Sequence, residues 1–127
     1  MILIFGGAYQ GKLEYAKKMY EIDFIDGSIA GVDEIYSAKG IYNFDKFIKR
    51  CMVEKTDMQQ LLDELKEKNN DVVIVSTEVG AGIVPVDKNE RDFREAVGRI
   101  CTKIAANSIE VHRVTCGIGQ VISKIEG

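Results

Sequence analysis

The chain has one histidine, His112, and three cysteines, Cys51, Cys101 and Cys116, far apart and in no Cys-x-x-Cys arrangement. That shortage excludes a recognisable zinc pattern. An odd, scattered set of thiols excludes a disulfide framework and fits a reducing compartment, so all three are expected as packing residues. Long apolar runs are missing. The opening Met1–Phe5 stretch is too short for a signal peptide or a membrane span, which makes a cytoplasmic protein the expectation. Excess charge is missing too. A net charge of −3 gives no bulk electrostatic reason to expect a nucleic-acid or membrane partner. Neither an internal repeat nor a low-complexity segment is found.

What remains is an ordinary globular balance, 46% hydrophobic and 29% charged over 127 residues, which points to one domain spanning 1–127. Ile2–Phe5 is a continuous apolar run of the kind buried on both faces of a parallel sheet. After Gly6-Gly7, helical spacing of Leu13, Ala16, Met19 and Tyr20 predicts a helix from about Lys12 to Tyr20. Residues 22–41 stay unassigned, apart from a short strand suggested at Ile22–Ile25 and closed by Asp26-Gly27-Ser28. Phe44, Phe47, Ile48, Cys51 and Met52 mark one face of an amphipathic helix. A second helix follows, with Thr56 and Gln59 at capping-box spacing and Met58, Leu61, Leu62 and Leu65 inward. Val72–Val75 reads as a central strand and Ser76–Lys88 as a loop. Asn89–Asn107 is helical, with Phe93, Ala96, Val97, Ile100, Ile104 and Ala105 inward, and Ile109–Thr115 is a strand. Gln120–Ile125 is a further short strand or a helical turn. Strands alternating with helices imply an α/β fold, with a mainly parallel sheet and helices on both faces.

The segment Gly6-Gly7-Ala8-Tyr9-Gln10-Gly11-Lys12 matches G-x-x-x-x-G-K between an expected strand and an expected helix. Small residues there let backbone N–H groups turn inward around phosphate oxygens. The helix adds its positive end, and the lysine reaches the terminal phosphates. A P-loop NTPase-like domain binding a nucleoside triphosphate, ATP or GTP, is the expectation, with Gly6 to Leu13 as the cradle and Lys12 catalytic. Leu13 stands where a serine or threonine hydroxyl would hold Mg²⁺, so metal-dependent transfer is in question.

Glu78 follows the expected central strand, where ligands bind in open parallel sheets. It reads as a catalytic or metal-holding carboxylate, or else as a loop cap. Arg91 and Arg94, at i and i+3, either meet a phosphate or form a solvated face paired with Asp92 and Glu95. His112, alone in its strand, reads as structural.

Together these residues resemble the adenosylcobinamide kinase/adenosylcobinamide-phosphate guanylyltransferase family of cobalamin biosynthesis. The resemblance is carried by Val75-Ser76-Thr77-Glu78-Val79-Gly80-Ala81-Gly82-Ile83-Val84-Pro85 and continues through Arg91-Asp92-Phe93-Arg94-Glu95, Gly98, Glu110-Val111 and Cys116-Gly117-Ile118. It implies a P-loop fold, a homotrimer, and phosphorylation of the adenosylcobinamide hydroxyl followed by GMP transfer through a histidine. It also implies Glu78 at the metal and phosphate site, with Asp26 as a second acidic candidate for metal. The middle of the chain is shorter than in the bifunctional enzymes, and their histidine-bearing helix has no counterpart. Histidine-linked guanylyl transfer is therefore not expected. Two readings follow: a kinase acting on a corrinoid alcohol, or a relative that binds nucleotide or corrinoid without turnover.

Overall fold

The computed structural model describes residues 1–78 and 87–125. Along the chain come β1 (Ile2–Gly6), α1 (Lys12–Met19), β2 (Phe24–Asp26), α2 (Val32–Ile35), β3 (Gly40–Tyr42) and α3 (Phe44–Val53). Next come α4 (Met58–Lys68), β4 (Val73–Thr77), α5 (Lys88–Asn107), β5 (Glu110–Thr115) and β6 (Ile118–Lys124). The six strands form one sheet in the order β2-β3-β4-β1-β5-β6. Every neighbouring pair is parallel except β5 and β6, which form an antiparallel hairpin.

The apolar run of β1 is explained by its position. Ile2 pairs with Val73 on one side and Glu110 on the other, so both edges of β1 are covered. Its alternating side chains then enter different cores. Leu3 joins a large core with Phe44, Phe47, Ile48, Leu61, Leu65 and Ile100, where α3, α4 and α5 cover one face. Ile4 joins a smaller core with Ala16, Val73, Val75 and Val114 on the face covered by α1. Among the described residues, no helix is long and apolar enough to cross a membrane.

Several expectations shift in detail. In α1 the inward stripe is Lys12 and Ala16, with Tyr15 packed beside them, whereas Met19 is exposed. The N-cap of α4 is Asp57, not Thr56: its carboxylate accepts the Gln60 N–H at 3.2 Å. Ser76 and Thr77 belong to β4, and Ser76 is buried, so the expected loop begins later. Its residues 79–86 lie outside the described residues. The closing segment is a strand, β6. Of the cysteines only Cys51 is fully buried; Cys101 is half-buried and Cys116 is exposed.

The central strand β4 should tolerate truncation poorly. Ile74 is fully buried between α3, α4 and the sheet. Ile74→Ala should lower unfolding free energy by about 2–5 kcal/mol, read as a reduced urea midpoint at unchanged slope. A midpoint equal to the parent's would contradict the packing described.

Candidate functional site

The glycine loop leaves β1 at Gly6 and enters α1 at Lys12, as the motif requires. Gly11 holds φ at 80° and caps the helix in the left-handed region, where a side chain would be strained. Gly6 has a different constraint: a Cβ there would collide with the Val114 carbonyl oxygen of β5. Tyr9 also lies in the left-handed region, φ 59°, with its side chain fully exposed. Lys12 is buried and folds back across the loop, its Nζ donating to the Gly7 carbonyl at 2.7 Å. Burial pushes its ammonium below the ordinary lysine range, and the carboxylates of Asp45 and Glu14 oppose that shift. Beside the loop lies a hollow of ≈ 230 Å³, lined by Gln10, Lys12, Leu13, Tyr42, Asn43 and Thr77 among others.

Parallel pairing brings the end of β4 to the same rim. The Glu78 N–H donates to the Gly6 carbonyl at 2.7 Å, which ties the two strand ends together. The Glu78 carboxylate meets Arg113 of β5 at 3.4 Å. Both side chains are well exposed, so the pair contributes little stability. A second acidic residue arrives that sequence reading passed over. β3 pairs with β4 only as far as Ile41 and Ile74. Beyond that point Asp45, from the first turn of α3, is buried and accepts the Thr77 N–H at 3.2 Å. In the sequence Asp45 is one polar position on an amphipathic helix, and only the end of β3 turns it toward the rim.

The other candidates lie elsewhere. Asp26 ends β2, three strand spacings from β1, roughly 14 Å. One of its carboxylate oxygens accepts from Ser28 N (2.9 Å), Ser28 Oγ (2.7 Å) and Asn43 Nδ2 (3.0 Å). That arrangement organises the β2 and β3 ends. Arg94 meets Glu90 at 3.8 Å, and Arg91 is exposed. His112 is fully buried, its Nδ1 bonded to the Tyr15 hydroxyl at 2.7 Å and its Nε2 near the Tyr20 hydroxyl at 3.3 Å. Glu110 lies 3.4 Å from the same Nε2. Cys101 sits 3.7 Å from Ser76 Oγ, and burial pushes its thiol up despite that contact.

A divalent cation at this rim would find few direct ligands. The Leu13 side chain offers no oxygen, Glu78 is engaged by Arg113, and Asp45 by the Thr77 amide. Among the described residues, no group of three or more His, Cys, Asp or Glu side chains is gathered to hold a metal. The donor set suits a cation held mainly by phosphate oxygens and water, as Mg²⁺ commonly is, with carboxylates reaching its water shell.

With this geometry in place, comparison with known proteins is informative. The family model for cobinamide kinase/cobinamide phosphate guanyltransferase, CobU, matches residues 42–122. That span takes in Asp45, Glu78, α5 and most of the β5–β6 hairpin. The chain belongs to this family. Two curated relatives bear it out. The bifunctional adenosylcobalamin biosynthesis protein CobU of Escherichia coli (strain K12) is 40% identical over 63 residues, 50% of this chain and 35% of that protein. The protein of the same name from Salmonella typhimurium (strain LT2) is 48% identical over 48 residues, 38% of this chain and 26% of its own. The aligned segments therefore span about a third or less of these CobU relatives. The glycine loop precedes the family match, so its assignment stands on the motif and the geometry above.

Asp26 yields a prediction about pH. Burial works against its charge, but hydrogen bonds from Ser28, Asn43 and Tyr42 prevail and hold its carboxyl below the ordinary value of 3.8. A depressed folded value contributes stability above the unfolded pKa, and that stability disappears as pH falls through the folded one. Asp26→Ala should therefore melt below the parent at neutral pH, with the gap closing at pH values under 3.8. A gap that persists unchanged into acid would contradict this account.

Proposed function

We propose that this chain is a nucleoside-triphosphate-dependent phosphotransferase of cobalamin biosynthesis, acting on the hydroxyl of adenosylcobinamide. The observation that carries the reading is the meeting of Lys12, at the mouth of a glycine loop, with Glu78 and Asp45 on one rim. Family membership supplies the corrinoid substrate class; no residue described above does.

Phosphoryl transfer asks a protein mainly to position its reactants and to neutralise developing charge. The loop amides and the α1 N-terminus would bind the β- and γ-phosphate oxygens. Lys12 has the reach to exchange the Gly7 carbonyl for a phosphate oxygen, because its four-carbon stem is flexible. Mg²⁺, when bound with the nucleotide, would neutralise charge between the phosphates, with Asp45 and Glu78 holding its water shell. Glu78 would also accept the proton of an incoming hydroxyl through the oxygen that Arg113 does not engage. Arg91 and Arg94, early in α5, are the candidates for meeting a phosphate or the substrate. ATP and GTP both suit the site, and the reading carries with it a cytoplasmic location and, by resemblance, a homotrimer.

Histidine-linked guanylyl transfer is not part of this function. His112 has both ring nitrogens engaged in the core, against Tyr15, Tyr20 and Glu110. A second reading, a nucleotide- or corrinoid-binding relative without turnover, draws on Leu13 and on the Glu78–Arg113 pair that partly occupies the carboxylate.

The discriminating experiment is turnover of adenosylcobinamide by the purified chain with ATP or GTP, with and without Mg²⁺, in the parent and in Glu78→Gln. The kinase reading predicts Mg²⁺-dependent phosphorylation that falls at least tenfold in the variant, with near-parental melting, and no acid-labile GMP on the protein. Triphosphate binding without turnover in the parent would establish the second reading. Parental activity in Glu78→Gln would make Glu78 structural.

A further inference from the structure

The glycine loop is held from outside as well as from within. The Gln10 carbonyl accepts the Gly117 N–H at 2.7 Å, and the Gln10 side-chain oxygen accepts the Cys116 N–H at 2.6 Å. Two consecutive amides of the β5–β6 turn thus converge on one loop residue. The fit is close along the whole seam. A Cβ on Gly11 would lie 3.3 Å from Gly117 Cα, one on Gly6 would strike Val114, and one on Gly119 would strike the Tyr15 ring of α1. The turn is a two-residue hairpin loop with φ of 51° at Cys116 and 75° at Gly117, positive at both positions as a tight antiparallel connection favours. Tyr9, next to Gln10, holds φ at 59°, a conformation a tyrosine adopts only under constraint.

We propose that the Cys116–Gly117 turn is a working part of the nucleotide site, with Gln10 as the positioning residue through which it fixes the loop around the triphosphate. A glycine-rich loop free to wander would lose conformational entropy on closing around phosphate, and binding would be weakened accordingly. Anchoring Gln10 from the hairpin removes part of that loss before ligand arrives. Its side chain is spent on the turn, which leaves the loop amides as the phosphate donors. Linkage is reciprocal: if the turn favours the ligand-ready loop, bound triphosphate must steady the turn. Cys116, exposed in that turn, reports on it directly. The inference rests on the phosphate-loop reading of Gly6–Lys12.

The test uses two variants and two readouts. Gln10→Met keeps the side chain's length and removes its acceptor. Gly117→Ala adds a methyl group to open space, so it acts only by straining the turn's φ. Affinity for ATP and GTP is measured by calorimetry. The rate of Cys116 alkylation is measured by peptide mass spectrometry, with and without triphosphate. Both variants should bind triphosphate about three- to tenfold more weakly while melting near the parent. In both, Cys116 should alkylate faster without ligand, and triphosphate should protect it less than in the parent. Parental affinity in both variants would overturn the inference and leave the phosphate loop standing. Weakened affinity with unchanged Cys116 reactivity would also overturn it, because Gln10 would then act on nucleotide rather than through the turn. Absence of triphosphate binding by the parent would overturn the phosphate-loop reading, and this inference with it.

Discussion

Parallel pairing of β1 on both edges is the constraint from which the rest of the structure follows. Ile2 is in register with Val73 of β4 and with Glu110 of β5, so three strands run the same way and finish on one side of the sheet. Everything with chemical potential collects there: the glycine loop after β1, Glu78 after β4, and the Cys116–Gly117 turn after β5. A slip of one residue in β1 would send Ile4 into the wrong core and carry Gly6 away from Val114. Two-sided burial of β1 and the position of the site are therefore one requirement.

Charge at that rim alternates in sign. Lys12 is buried, at a cost to its charged form that Asp45 and Glu14 offset. Glu78 is balanced by Arg113, and Asp45 is satisfied by the Thr77 amide. Such an arrangement holds a cation near the loop mouth without an incoming ligand, and anionic oxygens can be accepted by rearranging contacts already made. Position 13 brings no hydroxyl to this rim, and the acidic groups there come from the end of β4 and the first turn of α3.

Long, strongly patterned elements were legible in the sequence. The α3, α4 and α5 stripes and the β1 and β4 runs bury the residues their periodicity indicates, since helical and strand spacing record which face meets a core. Within residues 22–41 only the short strand suggested at Ile22–Ile25 was legible, as β2 at Phe24–Asp26; α2 and β3 were not, because they have only three or four residues each. Gly40, in the unassigned stretch, opens β3 and must lack a side chain there, because a Cβ would strike the Phe24 ring of β2. Within the site, the loop and Glu78 were visible as motif and strand end. Asp45 was not, since its role depends on β3 leaving β4 early, and Gln10's outward bonds depend on a hairpin more than a hundred residues away. Asp26 looked like a strand-end acid, and its surroundings give it hydrogen bonds from Ser28, Asn43 and Tyr42.

The central claim is that Gly6–Lys12 binds the phosphates of a nucleoside triphosphate. Calorimetric titration of the parent and Lys12→Ala with ATP and GTP tests it most directly. The account predicts saturable binding by the parent, weakened at least tenfold in the variant, whose melting stays cooperative because the lost ammonium faces the loop and not the core. Equal triphosphate affinity in the two proteins would contradict it.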